Sequence, residues 1–172
     1  SRPLSPDDIF TGRGPRAGRN PGMRGAFGGQ LGMASPRYVE ACLQIPNSLD
    51  TQKLRAFAMQ IVGNRQTAYE KALAIESYLR SRYQYTLEQI PDNPKNPVED
   101  FLFESRRGHC EYFATAMVML LRSLDIPARI VNGYYSAEWN NFAKSFTVRQ
   151  RDAHSWVEVF FPGYGWMTFD PT

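Results

Sequence analysis

Apolar residues take up a helical rhythm from about Ser48. Leu54, Phe57, Ala58 and Ile61 fall at i, i+3, i+4 and i+7 and mark one stripe of an amphipathic helix. Gly63 and Asn64 follow that stripe as a stop. Thr67 with Glu70 three residues on is the sequence of a capping box, and it opens a second helix with a broad face of Tyr69, Ala72, Leu73, Ile75, Tyr78 and Leu79. The period then shortens to the alternation of a strand over residues 83–87, and prolines break residues 90–97 into a loop. Residues 98–103 form a short apolar stretch that leads into Arg106, Arg107, Gly108, His109 and Cys110.

A third helix starts at His109 or Cys110 and runs to Leu124, with Phe113, Met117, Leu120, Leu121 and Leu124 on one stripe and Ala114 and Val118 widening it. A helix apolar over that much of its girth belongs at the centre of its domain. Strand patterns follow over 128–135, 146–150, 154–161 and 166–169. Helices first and strands later predict an α+β fold, with the central helix packed against an antiparallel sheet.

The first 35 residues are a different material, in which Gly, Arg and Pro leave few side chains able to pack. They read as a flexible or surface-draped arm, 1–35, ahead of one folded domain, 36–172. A linker is the plain reading of the arm; binding of anionic lipid or cell-wall polymer through its arginines is the other. Across 172 residues, 42% hydrophobic content and 13% aromatic content are enough for one domain with a real core. The formal charge of +3 sits largely in the arm, and no basic stripe with interleaved aromatics predicts a nucleic-acid partner. The longest strongly apolar run, 113–121, is half of what a bilayer requires, so an anchor is expected only outside this sequence. The start at Ser1 and the ending at Asp170, Pro171 and Thr172 read as those of an excised piece.

The chemistry concentrates late in the chain. Cys110 falls just inside the start of the buried helix, where free backbone amides and the positive end of the helix dipole favour a thiolate and can hold an oxyanion. Cys42 has no such setting and reads as a small buried hydrophobe. The two cysteines form no CxxC pair and no disulfide framework. His109 precedes Cys110 on the same turn, so its ring points about 100° away and makes a poor base. His154 opens a strand whose alternation puts His154, Trp156 and Glu158 on one face, which supplies a base for a helix-borne cysteine. A metal site is disfavoured: His109 and Cys110 are adjacent, no further His or Cys completes four ligands, and no EF-hand-like acidic loop is present.

Asp170 ends the next strand, where its carboxylate can orient the His154 ring. That contact depends on the parity of the turn. An even loop pairs Phe161 with Trp166 and puts Asp170 opposite Val157, on the wrong face. A three-residue loop of Pro162, Gly163 and Tyr164, with Gly165 left-handed, pairs Phe161 with Gly165 and brings Asp170 opposite Trp156, in diagonal reach of His154. Glu158 is the reserve carboxylate should the odd turn fail.

Four blocks in order carry a family resemblance: 100–116 (DFLFESRRGHCEYFATA), 126–134 (IPARIVNGY), 152–159 (DAHSWVEV) and 165–172 (GWMTFDPT). Over residues 65–172 the chain resembles the transglutaminase-like superfamily of papain-like cysteine acyltransferases. It looks most like the periplasmic domain of bacterial membrane-anchored protein-glutamine gamma-glutamyltransferases. The resemblance implies a triad of Cys110, His154 and Asp170, no cofactor, a monomer, a glutamine-bearing protein or peptide as donor, and an amine as acceptor. It also implies a periplasmic location, with membrane anchoring through segments outside this chain. Water in place of the amine turns the same acyl-enzyme into an amidase, protease or deamidase, with cell-wall peptides one conceivable substrate. Trp156, Trp166, Trp139 and Tyr134 are candidates to line an acceptor channel, against the plainer reading of core aromatics. Tyr85 or Gln84 is a candidate second oxyanion donor.

Overall fold

Capping chemistry sets where the helices begin. The computed structural model describes residues 35–88, 96–134, 138–140, 142, 144–147, 149 and 152–172. Ser35 accepts from the Tyr38 amide and starts a short helix, α1 (Pro36–Ala41), which periodicity had not indicated. Asp50 accepts from Lys53 N at 3.0 Å and starts α2 (Thr51–Val62), which buries Leu54, Ala58 and Val62 and stops at Gly63, φ 55°. The Thr67–Glu70 capping box is formed in both directions and opens α3 (Ala68–Arg82). Its buried face is narrower than the sequence implied: Ala72, Ala74, Ile75 and Leu79 are inside, whereas Tyr69 and Leu73 are exposed. The Gly- and Arg-rich arm, residues 1–34, and residues 90–95 of the proline-broken loop lie outside the described residues.

The strand expected over 83–87 is only two residues long, β1 (Gln84–Tyr85). The apolar stretch near residue 100 is helical: a single turn, α4 (Pro97–Glu99), passes into a π-helix (Asp100–Ser105). That wider turn buries both Phe101 and Leu102 and closes with Arg106 N donating to Phe101 O at 3.2 Å. Arg106 then takes the left-handed conformation, φ 52°, and redirects the chain into β2 (Arg107–Gly108). The Tyr83 hydroxyl fastens the same segment by donating to Leu102 O at 2.8 Å, and burial pushes that hydroxyl up to about 12.

α5 (Cys110–Ser123) runs through the core of the described domain, with Phe113, Ala114, Ala116, Met117, Val118, Leu120 and Leu121 all buried. It packs against α2 and α3 on one side and the main sheet on the other. Burying each large apolar side chain there contributes about 1.5–3 kcal/mol relative to exposure. The sheet is antiparallel, in the order β3 (Ala128–Tyr134), β6 (Ala153–Phe161), β7 (Gly165–Phe169). A separate small ribbon of β4 (Glu138–Asn140) and β5 (Ser145–Thr147) stands where the sequence indicated a strand over 146–150.

Strand β6 alternates cleanly. Ser155, Val157, Val159 and Phe161 are buried, while His154, Trp156, Glu158 and Phe160 share the other face. Its hairpin to β7 has the odd connection: Phe161 pairs with Gly165, Val157 pairs with Phe169, and Gly163 and Gly165 have φ of 84° and 86°. Helices around α5 with an antiparallel sheet behind it give the α+β fold that the patterns predict.

Candidate active site

Three elements converge on one cleft. It has a volume of about 450 Å³ and is lined by His109, Cys110 and Glu111 from the start of α5, Asn132, Gly133 and Tyr134 from the end of β3, and Ala153, His154 and Ser155 from the start of β6. Cys110 is the first residue of α5, and its residue surface is 9% exposed, so the thiol is shielded yet at the cleft. The preceding cap, His109, makes no side-chain capping bond, and its carbonyl takes the amides of Tyr112 (3.0 Å) and Phe113 (3.4 Å). The amides of Cys110 and Glu111 come earlier than any intrahelical acceptor, and they present N–H dipoles where charge would build up on a carbonyl. The His109 ring stands edge-on to Tyr112 at 4.9 Å. It lines a smaller neighbouring cavity as well.

Two tight contacts shape this corner. A Cβ on Gly108 would meet Tyr112 at 2.9 Å, so only glycine lets the chain pass so close before the Cys110 helix. Gly108 is also fastened to β1, since Thr86 N donates to Gly108 O at 2.9 Å in the two-residue parallel pairing. On the other side of the cleft a Cβ on Gly133 would meet the Trp156 ring at 2.6 Å. The Trp156 indole therefore lies on Gly133, and it runs nearly parallel to the His154 ring, 25° between planes with centroids 6.2 Å apart.

His154 Nε2 and Asp170 Oδ2 are 2.8 Å apart, the consequence of the odd hairpin register. The Asp170 carboxylate is held from its other side too: Oδ1 accepts from Thr172 N (3.1 Å) and Thr172 Oγ1 (2.6 Å). Burial works to raise the Asp170 carboxyl, but the Thr172 and His154 hydrogen bonds outweigh it and hold the group below its ordinary range. Nε2 is thus the ring nitrogen that the carboxylate engages.

The other sequence candidates sort by position. Tyr134 lines the cleft and is exposed. Tyr85 is half exposed beside Phe113, and burial, followed by the negative charges of Cys110 and Asp170, raises its hydroxyl. Gln84 contributes its backbone, donating to Arg106 O at 2.9 Å, and its exposed side chain is not among those lining the cleft. Trp156 and Trp166 do not line it either: Trp156 covers Gly133, and Trp166 sits under the Arg129 guanidinium at 4.1 Å with Tyr38 and Phe160 around it. The side chain of Trp139 lies outside the described residues. Glu158 is paired with Arg129 at 2.6 Å on the same sheet face, so it is not a substitute for Asp170. Cys42 is buried, and its carbonyl takes the Ala128 amide at 3.2 Å. Among the described residues, no cluster of His, Cys, Asp and Glu is arranged to hold a metal ion.

Sequence reasoning missed Asn132, Ser155, Thr172 and Glu76. Buried Ser155 donates to Asn132 Oδ1 at 2.7 Å, bracing the cleft wall. Glu76 accepts the Asp170 amide at 2.8 Å. Its signal was present, since Glu76 falls four residues after Ala72 and three before Leu79, inside the apolar stripe of its helix.

A thiol at the start of a central helix, a histidine and an aspartate on adjoining strands, and an α+β core define the class: the chain belongs to the transglutaminase-like superfamily, whose family model matches residues 55–171. Among particular proteins, it is 42% identical over 145 residues to the uncharacterized protein YebA of Bacillus subtilis, covering 80% of this chain and 19% of that protein. It is 41% identical over 101 residues to a protein-glutamine gamma-glutamyltransferase of Pseudomonas aeruginosa, covering 59% of this chain and 15% of the other. The crystal structure of the periplasmic domain of TgpA from Pseudomonas aeruginosa matches with a TM-score of 0.70 at 34% identity, over 81% of this chain and 48% of that one. The chain thus spans about a fifth or less of these two relatives' full length.

Proposed function

We propose that this domain is a protein-glutamine gamma-glutamyltransferase acting through Cys110, His154 and Asp170. The observation that carries the reading is the His154–Asp170 pair at 2.8 Å on the wall of the cleft that Cys110 also lines. In the first half-reaction the Cys110 thiolate attacks the carbon of a glutamine carboxamide. A C–S bond forms, and the developing oxyanion is met by the first amides of α5. The C–N bond then breaks, and ammonia leaves with a proton from the His154 imidazolium. In the second half-reaction an amine attacks the thioester, gives its proton to His154, and the C–S bond breaks to restore the thiolate. Asp170 fixes the ring so that Nδ1 faces the reacting atoms, and it stabilises the imidazolium in both halves.

The similarity to the Pseudomonas glutamyltransferase and to the TgpA periplasmic domain supports this choice among cysteine acyl-transfer reactions, and the second supports a periplasmic location. A glutamine-bearing protein or peptide is the donor, and no cofactor takes part. The chain acts as a monomer in this reading. Mass spectrometry of casein incubated with the enzyme and a primary amine tests it. Transfer adds the amine with loss of about 17 Da as ammonia, whereas water as acceptor adds about 1 Da. Only the second product, at every amine concentration, would make the protein a deamidase or amidase instead.

A further inference from the structure

The β7 ladder ends one residue too early to hold Asp170. The last paired position is Val157 with Phe169, so the Asp170 amide leaves the sheet with no strand partner in that register. A peptide at the end of a strand can rotate, and a rotation of this one would swing the carboxylate off the His154 ring. The amide is instead taken by Glu76 Oε1 at 2.8 Å, across 94 residues of sequence, from the middle of α3. Glu76 sits between Ala72 and Leu79, both fully buried, on the side of the helix turned to the protein. Burial raises its carboxyl, the Asp170 amide and Arg80 pull it down, and the Asp170 charge adds to the rise.

We propose that Glu76 is a positioning residue for the acyl-transfer reaction: it fixes the Asp170 peptide so that Oδ2 stays on His154 Nε2. Thr172 completes the clamp by holding Oδ1 through both its amide and its hydroxyl. The aspartate is therefore held at its backbone from a helix and at its carboxylate from the chain beyond it. This rests on the functional reading above for its kinetic consequence, but the placement of His154 can be read without any turnover.

Two variants separate positioning from mere stability. Glu76→Gln keeps an Oε1 acceptor at the same reach, and Glu76→Ala removes it. In Glu76→Ala, kcat for ammonia release from a glutamine donor is expected to fall roughly tenfold or more, with KM within about twofold, because a small misplacement of an orienting group acts on the transition state. Glu76→Gln is expected to recover kcat to within about threefold of the parent. The ring proton shared by His154 Nε2 and Asp170 Oδ2 gives a readout that needs no turnover: its downfield NMR resonance is expected to move upfield or broaden away in Glu76→Ala and to be retained in Glu76→Gln. A lowered Tm with kcat and that resonance unchanged would make Glu76 a structural anchor only. Equal losses in Gln and Ala would also overturn the proposal. Absence of turnover in the parent protein would sink the functional reading, while the ring-proton resonance would still decide the placement.

Discussion

Strand β6 carries two acid–base pairs on one face, and they could hardly be used more differently. At the turn end, Glu158 and Arg129 pair at 2.6 Å, and the guanidinium lies 4.1 Å over Trp166 and donates to Tyr38. At the open end, four residues away in the strand, His154 and Asp170 pair at 2.8 Å on the wall of a cleft shared with a thiol. The distances are close to equal. What differs is the cation: an arginine cannot give up its proton, so that pair is a fixed tie across strands. An imidazole can give and take one, and this one lines the same cleft as Cys110. A salt bridge of good geometry therefore says little about role until its proton chemistry and its surroundings are known.

Breaking each pair should separate them by activity. Asp170→Asn is expected to lower kcat/KM about a hundredfold or more, because it mis-sets the ring tautomer and the imidazolium. Glu158→Gln is expected to leave kcat/KM within about threefold and to cost about 1 kcal/mol or less in urea unfolding, as suits a partly exposed tie. Comparable activity losses in both variants would dissolve the distinction. Gly133→Ala sharpens it from the side of the cleft. The new methyl would meet Trp156 at 2.6 Å and force a shift of the indole that stacks beside His154. Overpacking of this kind costs about 1–3 kcal/mol, and turnover should fall by roughly tenfold, read from thermal melts and kinetics on the same preparation. A silent Gly133→Ala would show that the indole is free to move without touching the histidine.

The smallest effect is in the acid limb of stability. Asp170 is held below its ordinary range in the folded state, so its contribution is fully present above that range and is lost as pH falls through the lower folded value. Glu76, whose carboxyl is raised, has the opposite sign: its penalty exists above its raised value and disappears as pH falls through it. The stability difference between the parent and Asp170→Asn should then shrink as pH is lowered below about 4, where unfolded carboxylates protonate. Urea midpoints from pH 3 to 6 measure it, and a constant difference would contradict the linkage.

Much of this was legible in the sequence because it depends on local rules. The Thr67–Glu70 box, the stop at Gly63 and the stripe through Phe113, Met117 and Leu120 are short-range patterns. The parity of the 162–164 turn, with Gly165 left-handed, was enough to put Asp170 on the His154 side of the hairpin. What could not be read is non-local. The π-helix follows from burying Phe101 and Leu102 together, which periodicity over six residues does not reveal. Trp156 and Trp166 are open in the sequence to both a channel and a packing role, because aromatics on a strand face look alike until their neighbours are known. Glu76 was a carboxylate in an apolar stripe, and its partner lay 94 residues away.

The central claim is that Cys110 forms the thioester that His154 and Asp170 serve. Rapid quenching at low pH after mixing with a glutamine donor, followed by intact-mass and peptide analysis, tests it most directly. The expected result is an acyl adduct confined to the peptide bearing Cys110, released by hydroxylamine, and neither adduct nor ammonia in a folded Cys110→Ala variant. Ammonia release by that variant, or an adduct on Cys42 instead, would contradict it.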